Sequence, residues 1–436
     1  MEPLMYGAIG LCVLFVLLLL GVPLAFAFAF TGISGLYFLT GGTQVLNILH
    51  TLMFGWSTKY FLMSIPLFVL MGEFAFQAGI TGGIFNAVYK WIGRLKGGLA
   101  MCVVTSCGLF AACSGSTTAT TAAIGAVAFP EMEKYKYPPK LTAGSIAAGG
   151  SVGIMIPPSI SFIVYSLFAE ESVGKLFMAG IFPGIMEVVG YALLILLMTY
   201  IIYPKMVTPG PSFSLKEKIT SLRGIWAMVL LALIIIGGIY GGIFTPTEAG
   251  ATGAFGALVI SLVRRQLNWE KFKTALLEAS KITGMIFLLI MGVQCFITLL
   301  ALSGLSAWLS DVVVNLSISP FWILVFMTLL YIPLGCVLDP GGMHYLTYPI
   351  FIPILKSLGI DLIWFGVLAI RTTEIAVITP PLGFNVFVMK GVAPKIPLED
   401  IFRGIVPFLV VDLICLALLL AFPEISLFLP GLMKPK

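Results

Sequence analysis

The stretches CSGSTTATTAAIGAVAFP (113–130) and GCVLDPGGMHYLTYPIFIP (335–353) carry the same punctuation 223 residues apart. Ser116 is followed by Pro130 after 14 residues and by Pro157-Pro158 after 41; Asp339 is followed by Pro353 after 14 and by Pro380-Pro381 after 41. The proline pairs stand in GSVGIMIPPSI (150–160) and TEIAVITPPLGFN (373–385), and Pro23 and Pro246 repeat the same offset. Helix breakers at matching places in two apolar halves are the sequence mark of a duplicated secondary transporter.

Composition supports a membrane solvent. The chain is 59% hydrophobic and 10% charged, with a mean hydropathy of +1.09, whereas soluble domains carry about 25% charged residues. Apolar runs of about 20 residues, each long enough to span a bilayer, recur along it. The first run (4–20) has no basic flank or small-residue cleavage site and reads as a retained helix. The net charge of +5 comes from loop lysines and arginines and implies no nucleic-acid partner. The seven cysteines (12, 102, 107, 113, 295, 336 and 415) all lie in apolar runs without a C-x-x-C pair, so no disulfide framework and no metal-thiolate site is expected.

The expected fold is an all-α polytopic membrane protein of two inverted-topology repeats. The first repeat covers 1–203, with a re-entrant hairpin at 99–132 and a broken helix at 141–170. A cytoplasmic linker covers 204–224. The second repeat covers 225–436, with a hairpin at 320–355 and a broken helix at 362–388. An amphipathic arm at 43–60 precedes a helix at 60–80, and a second amphipathic stretch covers 84–98. In the second half a basic amphipathic stretch at 264–281 precedes a separate helix at 282–302, and a last helix covers 404–422.

Basic residues set the orientation. Eighteen fall on one set of loops, from Lys90, Arg94 and Lys96 through Lys134, Lys136 and Lys140 to Lys390, Lys395 and Arg403. Five fall on the other: Lys59, Lys175, Lys356, Lys434 and Lys436. The span 99–132 is basic at both flanks and is expected to enter and leave on the cytoplasmic face. The span 320–355 is expected to open to the opposite face, which places both termini outside.

The breaks suggest the chemistry. Irregular backbone is tolerated at membrane depth only where protein buries it or it lines a wet cavity. Ser114, Gly115 and Ser116 offer hydroxyls and a tight turn. Pro157-Pro158 and Pro380-Pro381 free upstream carbonyls, which are hard ligands for sodium. Half-helix N-termini favour an anion. Asp339, a carboxylate in an apolar span, is a functional candidate on cost alone. Simpler roles compete: small-residue runs such as 144–153 pack helices, Arg371 and Glu374 are spaced to neutralise each other, and His50 and His344 suit packing better than proton relay. Glu73, Glu187 and Asp412 read as helix-end or inter-helix contacts.

SGSTTATTAAIG (114–125), GIMIPPSI (153–160), PTEAGA (246–251), LDPGGMHYLTYPIFIPI (338–354) and ITPPLGFNVFV (378–388) resemble the large membrane subunit of tripartite ATP-independent periplasmic (TRAP) transporters, the DctM type, over essentially the whole chain. The resemblance implies an ion-transporter-superfamily elevator, in which a domain carrying both hairpins and both broken helices slides against a scaffold. It implies sodium-coupled uptake of an organic anion, a carboxylate or sulfonate, across the bacterial or archaeal inner membrane. The implied partners are a soluble periplasmic substrate-binding protein and a small four-helix membrane subunit, expected as a separate polypeptide. No cofactor and no enzymatic activity are implied; sodium is the coupling ion. Sodium ligands are expected among Ser114, Gly115, Ser116, Gly150, Gly153, Gly335, Asp339, Thr373 and Thr379. Substrate contacts are expected among Ser116, Thr120, Pro158, Ser159, Asp339 and Asn385. The serine-rich second hairpin of some family members is replaced here by Pro340-Gly341-Gly342. The rival readings are a binding-protein-independent sodium/anion symporter of the same superfamily, an anion channel, and an intramembrane hydrolase built on Ser116 and His344, for which no G-x-S-x-G or H-E-x-x-H pattern speaks.

Overall fold

The computed structural model describes residues 2–207, 209–316, 318–335 and 338–433, and among them the chain is helical without strands. Cys336, Lys434 and Lys436 lie outside the described residues. The first half runs α1 (Pro3–Leu19), α2 (Leu24–Thr40), α3 (Gly42–Ser57), α4 (Ser64–Gln77), α5 (Ile80–Ile92), α6 (Gly98–Ser114), α7 (Thr117–Lys134), α8 (Pro139–Ser151), α9 (Ile160–Ala169) and α10 (Val173–Ile201). The second runs α11 (Leu215–Ser221), α12 (Trp226–Tyr240), α13 (Pro246–Val263), α14 (Trp269–Leu302), α15 (Leu305–Val314), α16 (Pro320–Leu329), α17 (Tyr331–Leu334), α18 (Pro340–Ser357), α19 (Leu362–Ala376), α20 (Phe384–Val392), α21 (Leu398–Ala421) and α22 (Glu424–Gly431).

The 223-residue offset runs through this list. Shifted by it, α7 falls on 340–357, the bounds of α18. Likewise α8 falls on 362–374 and α9 on 383–392, where α19 and α20 stand. The proline pairs keep the register, and Pro157-Pro158 and Pro380-Pro381 both have cis peptide bonds. Cross-half packing is reciprocal: α2 lies along α14 as α13 lies along α4, and α8 meets α21 as α19 meets α10.

Local chemistry sets the helix starts. Ser116, Ser159, Asp339 and Asp361 are N-caps whose side-chain oxygens accept from Ala119, Phe162, Gly341 and Trp364 backbone N–H groups. Such caps contribute about 0.5–2 kcal/mol each and matter more where water cannot satisfy the orphan donors.

Among the described residues, five helices or helix-plus-turn units are long and apolar enough to cross a membrane: Tyr60–Gln77, α10, α13, α14 and α21. The bent pair Leu215–Gly224 and α12 makes a sixth if it is one span.

One expectation is corrected. The stretches 264–281 and 282–302 are not separate elements, because α14 starts at Trp269 within the first and runs unbroken to the end of the second. The first half does break, at Thr58–Lys59 before a turn of 3-10 helix. Pro66 stands in the first turn of α4, and its ring would clash with the carbonyl four residues back in a continuous helix. The repeat-equivalent residue is Leu289, which imposes no break. The linker 204–224 contains a short helix. A capping box between Ser214 and Glu217 starts α11, and the chain bends 59° into α12.

Candidate binding site

Where the two halves meet there is a cavity of about 550 Å³. Its walls come from six places: the start of α2 (Pro23–Phe26), the first hairpin tip (Gly115–Thr118), the first break (Ile154, Ile160, Ser161), the α14 stretch Met285–Leu289, the second tip (Asp339–Gly341, His344, Tyr345) and the second break (Phe384). Thr117-Thr118, Ile160-Ser161, Pro340-Gly341 and Phe384 are the opening residues of α7, α9, α18 and α20. Four helix N-termini therefore border one space. Each brings a positive dipole end, although Asp339 already caps α18 and Pro340 has no N–H to offer. No lysine or arginine is among the described lining residues, and the one carboxylate is Asp339. The α2 and α14 wall is apolar.

The first tip is built around hydroxyls. Gly115 ends α6 at φ +58, a left-handed conformation that favours glycine. Thr120 Oγ1 donates to the Ser116 carbonyl at 2.8 Å. Its single hydrogen is thereby used, so the 2.6 Å bond to Ser114 Oγ has Ser114 donating. The first break rests on this tip. A Cβ on Gly153 would stand 2.6 Å from the Ser116 carbonyl oxygen and 2.9 Å from Thr120 Oγ1. One on Gly115 would stand 2.9 Å from the Pro158 carbonyl. A Cβ on Gly150 would overlap the Thr121 hydroxyl. Ser114, Gly115, Ser116, Thr120, Gly153 and Pro158 thus come together, with Gly150 alongside. Ser159 is buried and its hydroxyl caps α9, accepting from the Phe162 N–H at 3.4 Å. It does not line the cavity.

The second tip is built differently. Asp339 caps α18, accepting from the Gly341 N–H at 3.1 Å, and faces the cavity. Gly335 packs against Ala376 of α19 and the Met343 sulfur. Thr373 Oγ1 meets His344 Nε2 at 2.8 Å. Thr379 donates to the Ile375 carbonyl at 2.6 Å, within its own helix end. Asn385, like Thr120, Pro158 and Ser159, is not among the residues lining the cavity. Its side-chain amide is buried and donates to the Ala147 carbonyl of α8 at 3.3 Å, while its backbone N–H closes on Val377. It ties one half to the other.

Two features exceed what spacing suggested. Arg371 pairs with Glu374 at 2.9 Å, as the i, i+3 spacing implied, and also with Glu187 of α10 and Asp412 of α21, each at 2.5 Å. All four side chains are buried, and Tyr191 donates to Asp412. One guanidinium thus gathers three carboxylates from three helices behind the second break. The second feature is the bond between His344 and Thr373. No local periodicity reports either, since each joins residues far apart in sequence. The repeat offset does offer a hint: it pairs His344 with Thr121 and Thr373 with Gly150, two positions already in contact in the first half.

Comparison with known proteins agrees with this architecture. The family model described as "Tripartite ATP-independent periplasmic transporter, DctM component" matches residues 11–425. The chain is 36% identical over 404 residues to the C4-dicarboxylate TRAP transporter large permease protein DctM of Pseudomonas aeruginosa, covering 92% of this chain and 93% of that one. It is 33% identical to the sialic acid TRAP transporter large permease protein SiaM of Vibrio cholerae, covering 95% and 96%. Among solved structures, the Alcanivorax borkumensis YdaH transporter superposes with a TM-score of 0.59 at 16% identity, covering 88% of this chain and 90% of that one. That likeness speaks for the fold alone. The helical hairpins, the paired breaks and the match along nearly the whole length together place the chain in the DctM family, as a large membrane permease subunit of a TRAP transporter and not an enzyme.

Proposed function

We propose that the chain imports an organic anion, carboxylate- or sulfonate-bearing, with sodium as the coupling ion. The observation that carries this reading is the convergence of four helix N-termini on a 550 Å³ cavity without a lysine or arginine among its described lining residues. Partial positive charge from dipole ends suits an anion. It does not by itself balance a full negative charge in a water-poor site, so bound cations complete the neutralisation. Two cation half-sites fit the donors present. The first uses hydroxyls and carbonyls around Ser114, Ser116, Gly150 and Gly153. The second uses the region of Gly335, Asp339, Thr373 and Thr379. The C4-dicarboxylate and sialic acid named for the relatives agree with an anionic cargo.

The moving part in this proposal is the unit of both hairpins and both broken helices, carried with α10 and α21. The scaffold is the α2, α4, α13 and α14 group, whose long reciprocal contacts suit a fixed frame. The loaded unit moves between the two faces of the inner membrane. Ligands shift that equilibrium only by their differential affinity for its two states, so coupling requires the sodium-free unit to translocate poorly. The basic flanks of 99–132 put that hairpin on the cytoplasmic side and the second on the periplasmic side. A periplasmic binding protein delivers the anion, and a small membrane subunit completes the assembly. A fused relative, the isethionate TRAP transporter permease protein DctMQ of Oleidesulfovibrio alaskensis, agrees with such a second membrane part.

The test is uptake into proteoliposomes containing the assembled membrane complex, with purified binding protein outside. Radiolabelled anion should accumulate only with both an inward sodium gradient and the binding protein. Accumulation without the binding protein would identify a self-sufficient symporter. A flux indifferent to sodium and unsaturable in anion would identify a channel and overturn the proposal.

A further inference from the structure

We propose that His344 is the positioning residue of the second cation half-site, fixing the Thr373 hydroxyl and joining that half-site to the anion cavity. The proposal rests on the sodium-coupled reading above. The hydrogen-bond directions follow from counting hydrogens. Thr373 Oγ1 donates to the Ala369 carbonyl at 2.8 Å. A hydroxyl has one hydrogen, so toward His344 it accepts, and the imidazole Nε2 carries the proton. One lone pair of Thr373 Oγ1 then faces the imidazole and the other is left for a cation. A donor held in this way orients a ligand atom and tunes its electron density.

The imidazole is itself held. It stacks on Tyr348 with ring centroids 4.9 Å apart and planes 11° apart, and meets Tyr331 edge-on at 6.0 Å. Tyr331 is held in turn by Thr347, at 2.6 Å. His344 also borders the cavity, so one rigid ring touches both the anion space and the Thr373 hydroxyl.

The first repeat supplies an independent reason. Positions 121 and 150 are the equivalents of 344 and 373. There Thr121 lies directly over Gly150, close enough that no Cβ fits, and its hydroxyl donates to the Thr117 carbonyl at 2.9 Å. The hairpin's return helix therefore bears on the broken helix at the same place in both halves. In the first half the contact is tight and made by small groups. In the second a hydroxyl replaces the glycine hydrogen and an imidazole spans the gap. In the second half the imidazole thereby links this contact to the cavity, whereas in the first the contact is direct.

The experiment is a sodium titration of the thermal unfolding midpoint of the full-length chain in nanodiscs, with choline replacing sodium at constant ionic strength. Wild type should be stabilised by sodium. His344→Ala should need at least about tenfold more sodium for half the shift, the lower end of what losing an outer-shell partner costs a metal site. His344→Gln places an amide N–H where Nε2 stands and should stay within about threefold of wild type. His344→Asn, whose amide reaches only the Nδ1 position, should behave like Ala. In a Thr373→Val background, His344→Ala should add nothing further. The proposal is overturned if, among variants keeping the wild-type sodium-free midpoint, Ala or Asn titrates like wild type, or Gln titrates like Ala. A wild type that ignores sodium would overturn the sodium-coupled reading with it, whereas a responsive wild type with indifferent variants would overturn this inference alone.

Discussion

At the first hairpin tip, Ser114, Ser116 and Thr120 exchange hydrogen bonds among themselves and press against Gly153. At the second tip, 223 residues on, a carboxylate takes the place of Ser116, and the bridge to the broken helix is made by a histidine. The bounds of the return helices α7 and α18, the N-cap role and the cis proline pair are the same in both. Duplication has preserved the backbone that creates helix ends at membrane depth and let the side chains diverge. The first half offers neutral oxygens suited to a cation. The second adds charge: Asp339 at its tip, and Arg371 and Glu374 where the first half has Ala148 and Ser151.

The largest test of that asymmetry is at Arg371. Replacing it by Met leaves three buried carboxylates without their common cation, and breaking a buried pair in this way costs about 3–5 kcal/mol. We expect Arg371→Met to lose most of its folded, monodisperse yield. Ser151→Ala, at the first-half equivalent of Glu374, should stay within about 1 kcal/mol of wild type, because it gives up one neutral hydroxyl bond, donated to the Ala148 carbonyl. Equal behaviour of the two in a denaturation series would erase the distinction between the halves.

Next are the first-tip hydroxyls. Ser114→Ala or Ser116→Ala removes an oxygen from the proposed first cation half-site, and hydrogen bonds to charged groups are worth about 1.5–3 kcal/mol. The sodium concentration for half-maximal uptake should rise by about tenfold or more, with binding-protein docking unchanged. An unaltered sodium dependence in both variants would assign this tip to packing.

Asp339→Asn should have a somewhat smaller effect. It keeps the shape and the cap on α18 but removes the charge. Uptake per assembled complex should fall about tenfold, equivalent to ~1.4 kcal/mol. Normal specific activity with a lowered folded yield would make Asp339 structural and leave the second half-site without its charge.

Much of this organisation was legible in the sequence because helix breakers act locally. Proline, glycine and N-cap residues carry their conformational effect wherever they stand, so the hairpins, both breaks and the Ser116–Asp339 equivalence could be read from spacing. The continuity of α14 was missed because a polar arm and an apolar span look like two elements. Only the lack of a breaker where the first half has Pro66 tells otherwise. The candidate site divides along similar lines. The first-tip residues are neighbours in sequence or one helical turn apart, and they come together as expected. The sequence shows Asn385 beside a break but not which way the half-helix turns it; its amide turns toward Ala147. The Arg371 network spans residues 187 to 412, and only tertiary packing brings these together.

If two halves of opposite orientation meet at one cavity, the flanks of the two hairpins must face opposite sides of the membrane. Single cysteines would replace Arg94 and Lys136, at the flanks of the first hairpin, and Asn315 and Lys356, at the flanks of the second, with native cysteines removed. A membrane-impermeant thiol reagent should label the first pair only from the cytoplasmic face and the second pair only from the periplasmic face. Labelling of all four from one side, or of Arg94→Cys and Lys136→Cys from opposite sides, would contradict the inverted repeat and the alternating access built on it.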